Sequence, residues 1–297
     1  WPDAERKLAR AATSGGLPYC LSTVATRTPE EVAPHLDGNG WFQMYPPKSP
    51  EVRDDMLRRA RESGFHTLVL TVDVPAASRR ERQIRGGLVQ PPRLTPRLMA
   101  QVAQCPTWAM GIQLGGMPRM RLMDSYAEDL AKGPLPSAAH VGYLLRAAPD
   151  WEYVAALREL WDGPFILKGV SEPDVAAQGE AAGVDAIWVS NHAGRQFDGA
   201  PGAAAMLPGV RAATKLPVIF DSGVEGGLDV IRALALGADF VMMGRAWHYA
   251  LGALGAKGPA HWHDVLVKDM ESNMAQIGDN CLADLPGRLD HDNAAGA

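Results

Sequence analysis

The sequence predicts an α/β chain folded as a (β/α)8 barrel. Three observations point there. Short apolar runs alternate with longer helical ones along most of the 297 residues, the pattern of strand–helix units laid into a parallel sheet. The runs are almost continuously apolar, as strands covered on both faces are. Each run also ends in polar or ionisable residues, and in a barrel all strand C-termini open onto one face, where active sites sit.

Taken in order, the candidate strands are 17–23 (LPYCLST), 41–45 (WFQMY), 67–73 (TLVLTVD), 164–170 (PFILKGV), 186–192 (AIWVSNH), 217–223 (PVIFDSG) and 240–246 (FVMMGRA). The candidate helices are 4–14, 29–36, 50–63, 151–161, 172–182, 203–214 and 226–236, with a last one at about 263–277. Thr28-Pro29-Glu30-Glu31, Ser49-Pro50-Glu51 and Ser171-Glu172-Pro173 supply helix-start signals. Glycines at 15, 64, 183 and 237 follow helix ends. The strand count is one short of eight, and 4–14 reads as a helix with no strand before it. The expectation is therefore a barrel lacking its first strand, which would precede Trp1. Residues 74–150 break the rhythm and read as a long lid or partner surface inserted in a single domain, 1–297.

Bulk properties narrow the function. A formal charge of −5 argues against a nucleic-acid binder. Apolar content of 46% and charged content of 21% are ordinary for a globular domain. No apolar run approaches the roughly 20 residues of a membrane span. Trp1 is followed by a charged helical pattern rather than an apolar leader. Cys20, Cys105 and Cys281 lie far apart without metal-ligand spacing. The expected compartment is cytoplasmic, and no metal is expected. The aromatic, Met and Arg content of 87–120 suggests peripheral contact with a membrane surface or an electron-transfer partner; a lid packed on its own barrel is the plainer alternative.

The strand ends carry the chemistry: Ser22 and Thr23; Gln43 and Tyr45; Thr71 and Asp73; Lys168; Ser190, Asn191 and His192; Asp221 and Ser222; Gly244 and Arg245. Singly, each has a structural explanation: Gln43 could satisfy backbone, Lys168 a barrel ion pair, His192 a core hydrogen bond, Arg195 a rim salt bridge. Seven strands ending this way together define a site. His192 suits a general base working near neutrality, and Asp73 is the carboxylate to hold its tautomer. Arg195 offers a fork matched to a substrate carboxylate, and Lys168 a point cation for developing negative charge. The glycine-bearing turns 221–227 and 243–246 form a phosphate grip with Arg245; Gly226 and Gly227 could instead only cap a helix.

The motifs SNHAGRQFDG, LTVDVPAASRRER, WFQMY, FILKGV and DSGVEGGLDVIRALALGADFVMMGRA together resemble the FMN-dependent L-2-hydroxy acid oxidising enzymes. That family includes glycolate oxidase, mandelate dehydrogenase and the bacterial L-lactate dehydrogenase branch, to which PTWAMGIQLGGMPR and LWDGPFILKGV are most similar. The resemblance covers nearly the whole chain. It implies that His192 takes a proton from the hydroxy acid, with Asp73 supporting the imidazolium. It implies that Arg195 and Arg80 hold the substrate carboxylate and that Tyr45 bonds the reacting oxygen. Lys168, Ser22, Gln43 and Thr71 would meet the flavin ring, Asp221 the ribityl chain, and Gly223, Gly244 and Arg245 the phosphate. It further implies a 2-hydroxy acid substrate, a tetramer, and oxygen, a quinone or a cytochrome as electron acceptor.

The chain departs from the family pattern in three ways. Ala193 stands where the family usually has glycine, and Glu225 where it usually has an arginine that binds phosphate. The family's N-terminal region, with its first strand, flavin contacts and a carboxylate-binding tyrosine, has no counterpart after Trp1. Two alternatives follow: an FMN-dependent isomerase on a related barrel, of the type 2 isopentenyl diphosphate isomerase kind, or a catalytically impaired barrel fragment.

Overall fold

A computed structural model describes residues 1–76, 85, 95–116, 118–127, 144–145 and 147–289. Seven strands form one parallel sheet in chain order: β1 (Tyr19–Ser22), β2 (Gly40–Met44), β3 (Thr67–Thr71), β4 (Phe165–Val170), β5 (Ala186–Val189), β6 (Val218–Phe220) and β7 (Phe240–Val241). Helices cross between successive strands, which sequential parallel pairing requires. Among the described residues no ladder joins β7 to β1. The sheet therefore curls as a barrel does but stays open on that side, where the expected eighth strand would lie.

The two faces of the sheet follow from the period of two. Leu21, Phe42, Leu68, Leu70, Phe165, Leu167, Ile187, Val189, Val218 and Phe220 pack outward against the helices in the main core. Cys20, Trp41, Val69, Ile166, Trp188, Ile219 and Phe240 form a second cluster on the concave side. Trp41 meets Trp188 edge-on at 6.4 Å and Phe240 at 6.3 Å. Each such large side chain contributes on the order of 1.5–3 kcal/mol on burial, so this plug fixes the curvature beneath the site.

Helices α1 (Ala4–Ser14), α2 (Pro29–Val32) and α3 (Pro50–Glu62) match the expected positions. The Ser49 hydroxyl accepts from the Val52 amide at 3.3 Å, and the Glu31 carboxylate accepts from the Thr28 amide at 3.0 Å. At 173–181 the N-cap is Glu172, with no side-chain cap bond, so Ser171 does not cap it. The expected strand 240–246 is too long. Only Phe240 and Val241 pair, and the chain turns at Gly244 into the helix Arg245–Leu254; its AWHYAL run is apolar enough to mask the change of period.

The stretch 74–150 is not without structure. It holds helices at Pro96–Ala103, Pro106–Gly115 and Arg121–Ala127. The last of these buries Leu122 and Met123 in the main core, and Leu145 bridges back to Pro47. Among the described residues no helix is long and apolar enough to cross a membrane.

Candidate active site

Inward parity carries directly into the site. One step beyond the apolar plug, Cys20 gives way to Ser22, Trp41 to Gln43, Val69 to Thr71, Ile166 to Lys168, Trp188 to Ser190 and Ile219 to Asp221. These polar groups are buried or half-buried, and they satisfy one another. The Ser22 hydroxyl donates to Gln43 Oε1 at 2.7 Å, and Gln43 Nε2 donates to Thr71 Oγ1 at 2.7 Å. Lys168 Nζ donates to Ser190 Oγ at 3.0 Å, lies 3.5 Å from Asp221 Oδ2 and sits 5.1 Å from the centre of the Trp188 ring. Below them, burial pushes the Cys20 thiol up to about 12, an effect that Lys168 opposes and Asp221 reinforces. That thiol is an inert neutral group.

Two residues further on stand a carboxylate and an imidazole. His192 Nδ1 donates to Asp73 Oδ2 at 2.5 Å. This bond fixes the tautomer and leaves Nε2 to accept the Tyr45 hydroxyl at 3.2 Å. The second carboxylate oxygen, Asp73 Oδ1, is buried with no hydrogen-bond partner among the described residues. Gly169 makes room for that carboxyl: β4 shifts register between Lys168 and Val170, and at φ 98° a Cβ on Gly169 would lie 2.5 Å from the Asp73 Cγ. A glycine inside the strand motif FILKGV was the available signal for this close approach.

His192 lies in a turn of three consecutive left-handed residues, His192 (φ 52°), Ala193 (φ 55°) and Gly194 (φ 69°). Only the last is a conformation its residue adopts freely; for the alanine the cost is on the order of 1 kcal/mol. Arg195 follows directly, its Nε donating to the His192 carbonyl at 3.1 Å, so imidazole and guanidinium share one turn.

A cavity of about 280 Å³ opens beside this turn. Lys168, His192, Arg195, Asp221, Gly223, Gly244 and Arg245 are among its lining residues. A Cβ on Gly223 or Gly244 would meet nothing within 4 Å, so these turns present backbone to open space. Gly226 and Gly227 do otherwise. The Gly227 amide donates to the Asp269 carboxylate at 2.6 Å, and a Cβ on Gly227 would lie 2.6 Å from the Met270 nitrogen. They cap and pack a helix, the plainer of the two expectations. Glu225 Oε1 stands 3.9 Å from Arg245 Nη2.

The structure thus brings together Ser22, Gln43 and Thr71 in one chain of bonds, and Tyr45, Asp73 and His192 in another. It gathers Lys168, Arg195, Asp221, Gly223, Gly244 and Arg245 around the cavity. Arg80 lies outside the described residues. Sequence reasoning placed Ser190 and Ser222 among the polar strand ends without a particular role, and did not single out Gly169 or His248. The last lines the cavity, and its Nδ1 donates to the Gly244 carbonyl at 3.0 Å; nothing in its sequence context signalled this.

A curled, open parallel sheet with a histidine–carboxylate pair, a buried lysine and a glycine-arginine grip at one mouth suits a cofactor-dependent enzyme of the flavin-binding barrel class. The FMN-dependent dehydrogenase family matches residues 1–291, and the chain belongs to that family. The L-lactate dehydrogenase of Pectobacterium atrosepticum is 38% identical over 95% of this chain and 73% of its own length. That of Acinetobacter baumannii is 37% identical over 95% and 74%. The solved structure of the monotopic membrane protein (S)-mandelate dehydrogenase superposes with a TM-score of 0.88 at 33% identity, covering 96% of this chain and 75% of that one. These relatives are oxidoreductases and do not favour the isomerase alternative. FMN is the expected cofactor, and the chemistry of the cavity lining suits it: a lysine ammonium, an arginine and open glycine backbone. Glu225, beside Arg245, is a group at odds with a phosphate there.

Proposed function

We propose that this chain oxidises an L-2-hydroxy acid to the 2-oxo acid, with His192 as the base. The observation that carries this reading is the Asp73–His192–Tyr45 relay at the cavity that Lys168 and Arg195 line. Oxidation removes two electrons and two protons from the carbinol; FMN, when bound, would supply the acceptor for the electron pair and for the proton that His192 does not take. His192 Nε2 takes one proton, from the α-carbon or from the hydroxyl, and Asp73 stabilises the imidazolium so formed. Tyr45 hydrogen-bonds the reacting oxygen, and Arg195 with Arg80 holds the carboxylate. Lys168 stabilises negative charge that develops near it. Ser22, Gln43, Thr71, Lys168, Asp221, Gly223, Gly244 and Arg245 would hold FMN.

Lactate and mandelate are the substrates to try first, because L-lactate dehydrogenases and a mandelate dehydrogenase are similar to this chain. Anaerobic titration of the FMN-loaded protein with L-lactate, L-mandelate and glycolate, followed by flavin absorbance, tests the reading. Bleaching by one of them supports it; a spectrum unmoved by all three sinks it.

The proposed organisation is a single barrel domain, 1–297, carrying 74–150 as an insertion. Met99, Trp108, Met110 and Leu114 of that insertion are exposed, Leu114 at 83%, which supports a peripheral contact with the cytoplasmic face of a membrane. Co-sedimentation with anionic vesicles, lost in Met110→Gln/Leu114→Gln, checks this. A tetramer is the proposed assembly, to be checked by analytical ultracentrifugation. Reduced protein passes its electrons to oxygen, a quinone or a cytochrome.

A further inference from the structure

Ser222 is placed oddly for a serine. It sits at φ 89°, and Gly223 follows at φ 83°; a side chain at such a φ is strained. It lies at the end of β6, after Asp221, and its hydroxyl reaches across to the turn that carries His192. Oγ accepts from the Asn191 amide at 3.2 Å and from the Ala193 amide at 3.1 Å. Its proton goes to Asp221 Oδ1 at 2.8 Å. Every bonding capacity of the hydroxyl is used, and the two amides it holds flank His192.

That turn has reason to relax. His192, Ala193 and Gly194 are all left-handed, and two of the three are residues that resist such a conformation. On the strand side, the Ser190 hydroxyl accepts from the His192 amide at 3.2 Å, so Ser190 and Ser222 between them bind three consecutive amides. From these contacts we infer that Ser222 is a positioning residue: its hydroxyl braces the His192 turn against β6, holding the imidazole in register with Asp73 and with the cavity. It also links the base to Asp221, and through Asp221 to Lys168. The inference rests on the reading of His192 as the base.

Two variants separate hydroxyl from backbone. Ser222→Ala removes the brace and keeps the strained backbone, whereas Ser222→Gly removes the brace and relieves the strain. Amide hydrogen exchange of the segment 190–195 in the FMN-loaded protein should quicken at least tenfold in both variants. Anaerobic flavin reduction at saturating substrate should slow at least tenfold in both, with the half-saturating concentration changed less than twofold and flavin content retained. Ser222→Gly should nevertheless melt at a higher temperature than Ser222→Ala, so slower reduction in the more stable variant would not be ascribable to general unfolding. Unchanged exchange in both variants would overturn the brace. Faster exchange with wild-type reduction rates would overturn its part in positioning the base. If no 2-hydroxy acid reduces the wild-type flavin, the proposed activity fails, and the exchange measurement alone decides the brace.

Discussion

Asp73 Oδ2 and His192 Nδ1 meet at 2.5 Å across 119 positions of sequence. Asp73 follows β3 and His192 follows β5, each two residues beyond an inward-facing position, Thr71 at the end of β3 and Ser190 just past β5. The pair exists because parallel strands of one sheet end at the same level. A charge-assisted bond of this length orients the ring and stabilises its protonated form. Asp73→Asn keeps the shape and removes the charge. Flavin reduction by the hydroxy acid should fall by roughly 10²–10⁴-fold, the usual reach of general acid–base catalysis, with FMN retained. Stopped-flow absorbance and flavin content measure the two halves.

Gly169 and Asp73 cannot both keep their places if a methyl group is added. The 2.5 Å approach and the φ of 98° mean that Gly169→Ala must move the carboxyl or the strand. A loss of about 1–3 kcal/mol in stability is expected, together with slower flavin reduction. Denaturant unfolding compared with Gly179→Ala gives a control for a buried helical glycine without a positive φ.

Glu225 shares Arg245 with whatever anion the glycine turns receive. Both side chains are exposed, at 66% and 48%, so salt weakens their interaction. Replacing Glu225 by Gln should tighten FMN about tenfold, equivalent to about 1.4 kcal/mol, and Glu225→Arg further. Quenching of flavin fluorescence on titration into apoprotein reads this directly, and the gain should shrink as ionic strength rises.

Acid stability has one clear contributor outside the site. Burial alone would raise the Glu30 carboxyl, but the Arg59 guanidinium, with Thr28 and backbone bonds, outweighs it and holds the group at about 2. Arg59 grips both carboxylate oxygens, at 2.6 and 3.1 Å, joining α3 to α2. Because the folded value lies below the ordinary 4.5, the unfolded chain binds more protons between those limits. This stability is present above pH about 4.5 and is lost as pH falls toward 2. Glu30 is partly exposed, so the effect is at most about 1 kcal/mol. Urea unfolding of Glu30→Gln should therefore show a shallower fall than wild type over that window, and little difference in slope above it.

The polar groups that gather at the candidate site were legible in the sequence. The alternation Trp41–Gln43, Val69–Thr71 and Ile166–Lys168 lies in the sequence, and strand polarity sends every such end to the same mouth. Pairing Asp73 with His192 was readable as chemistry because an imidazole base needs a carboxylate. The length of β7 was not legible, since apolar residues of a helix and of a strand look alike over so few positions. Helices within 74–150 escaped for the related reason that several are short and lie mostly exposed, leaving a weak period.

The sequence by itself determined the class of fold, the order of strands and the inventory of groups at the barrel mouth, because side-chain parity and strand–helix alternation are local properties. Only the tertiary structure decided which of those groups touch. The Gly169 approach to Asp73, the Ser222 brace on the His192 turn and the Glu225 contact with Arg245 each join segments far apart in the chain. Their distances depend on strand register and sheet curvature, quantities set by the packing of the whole core and by no single stretch of residues.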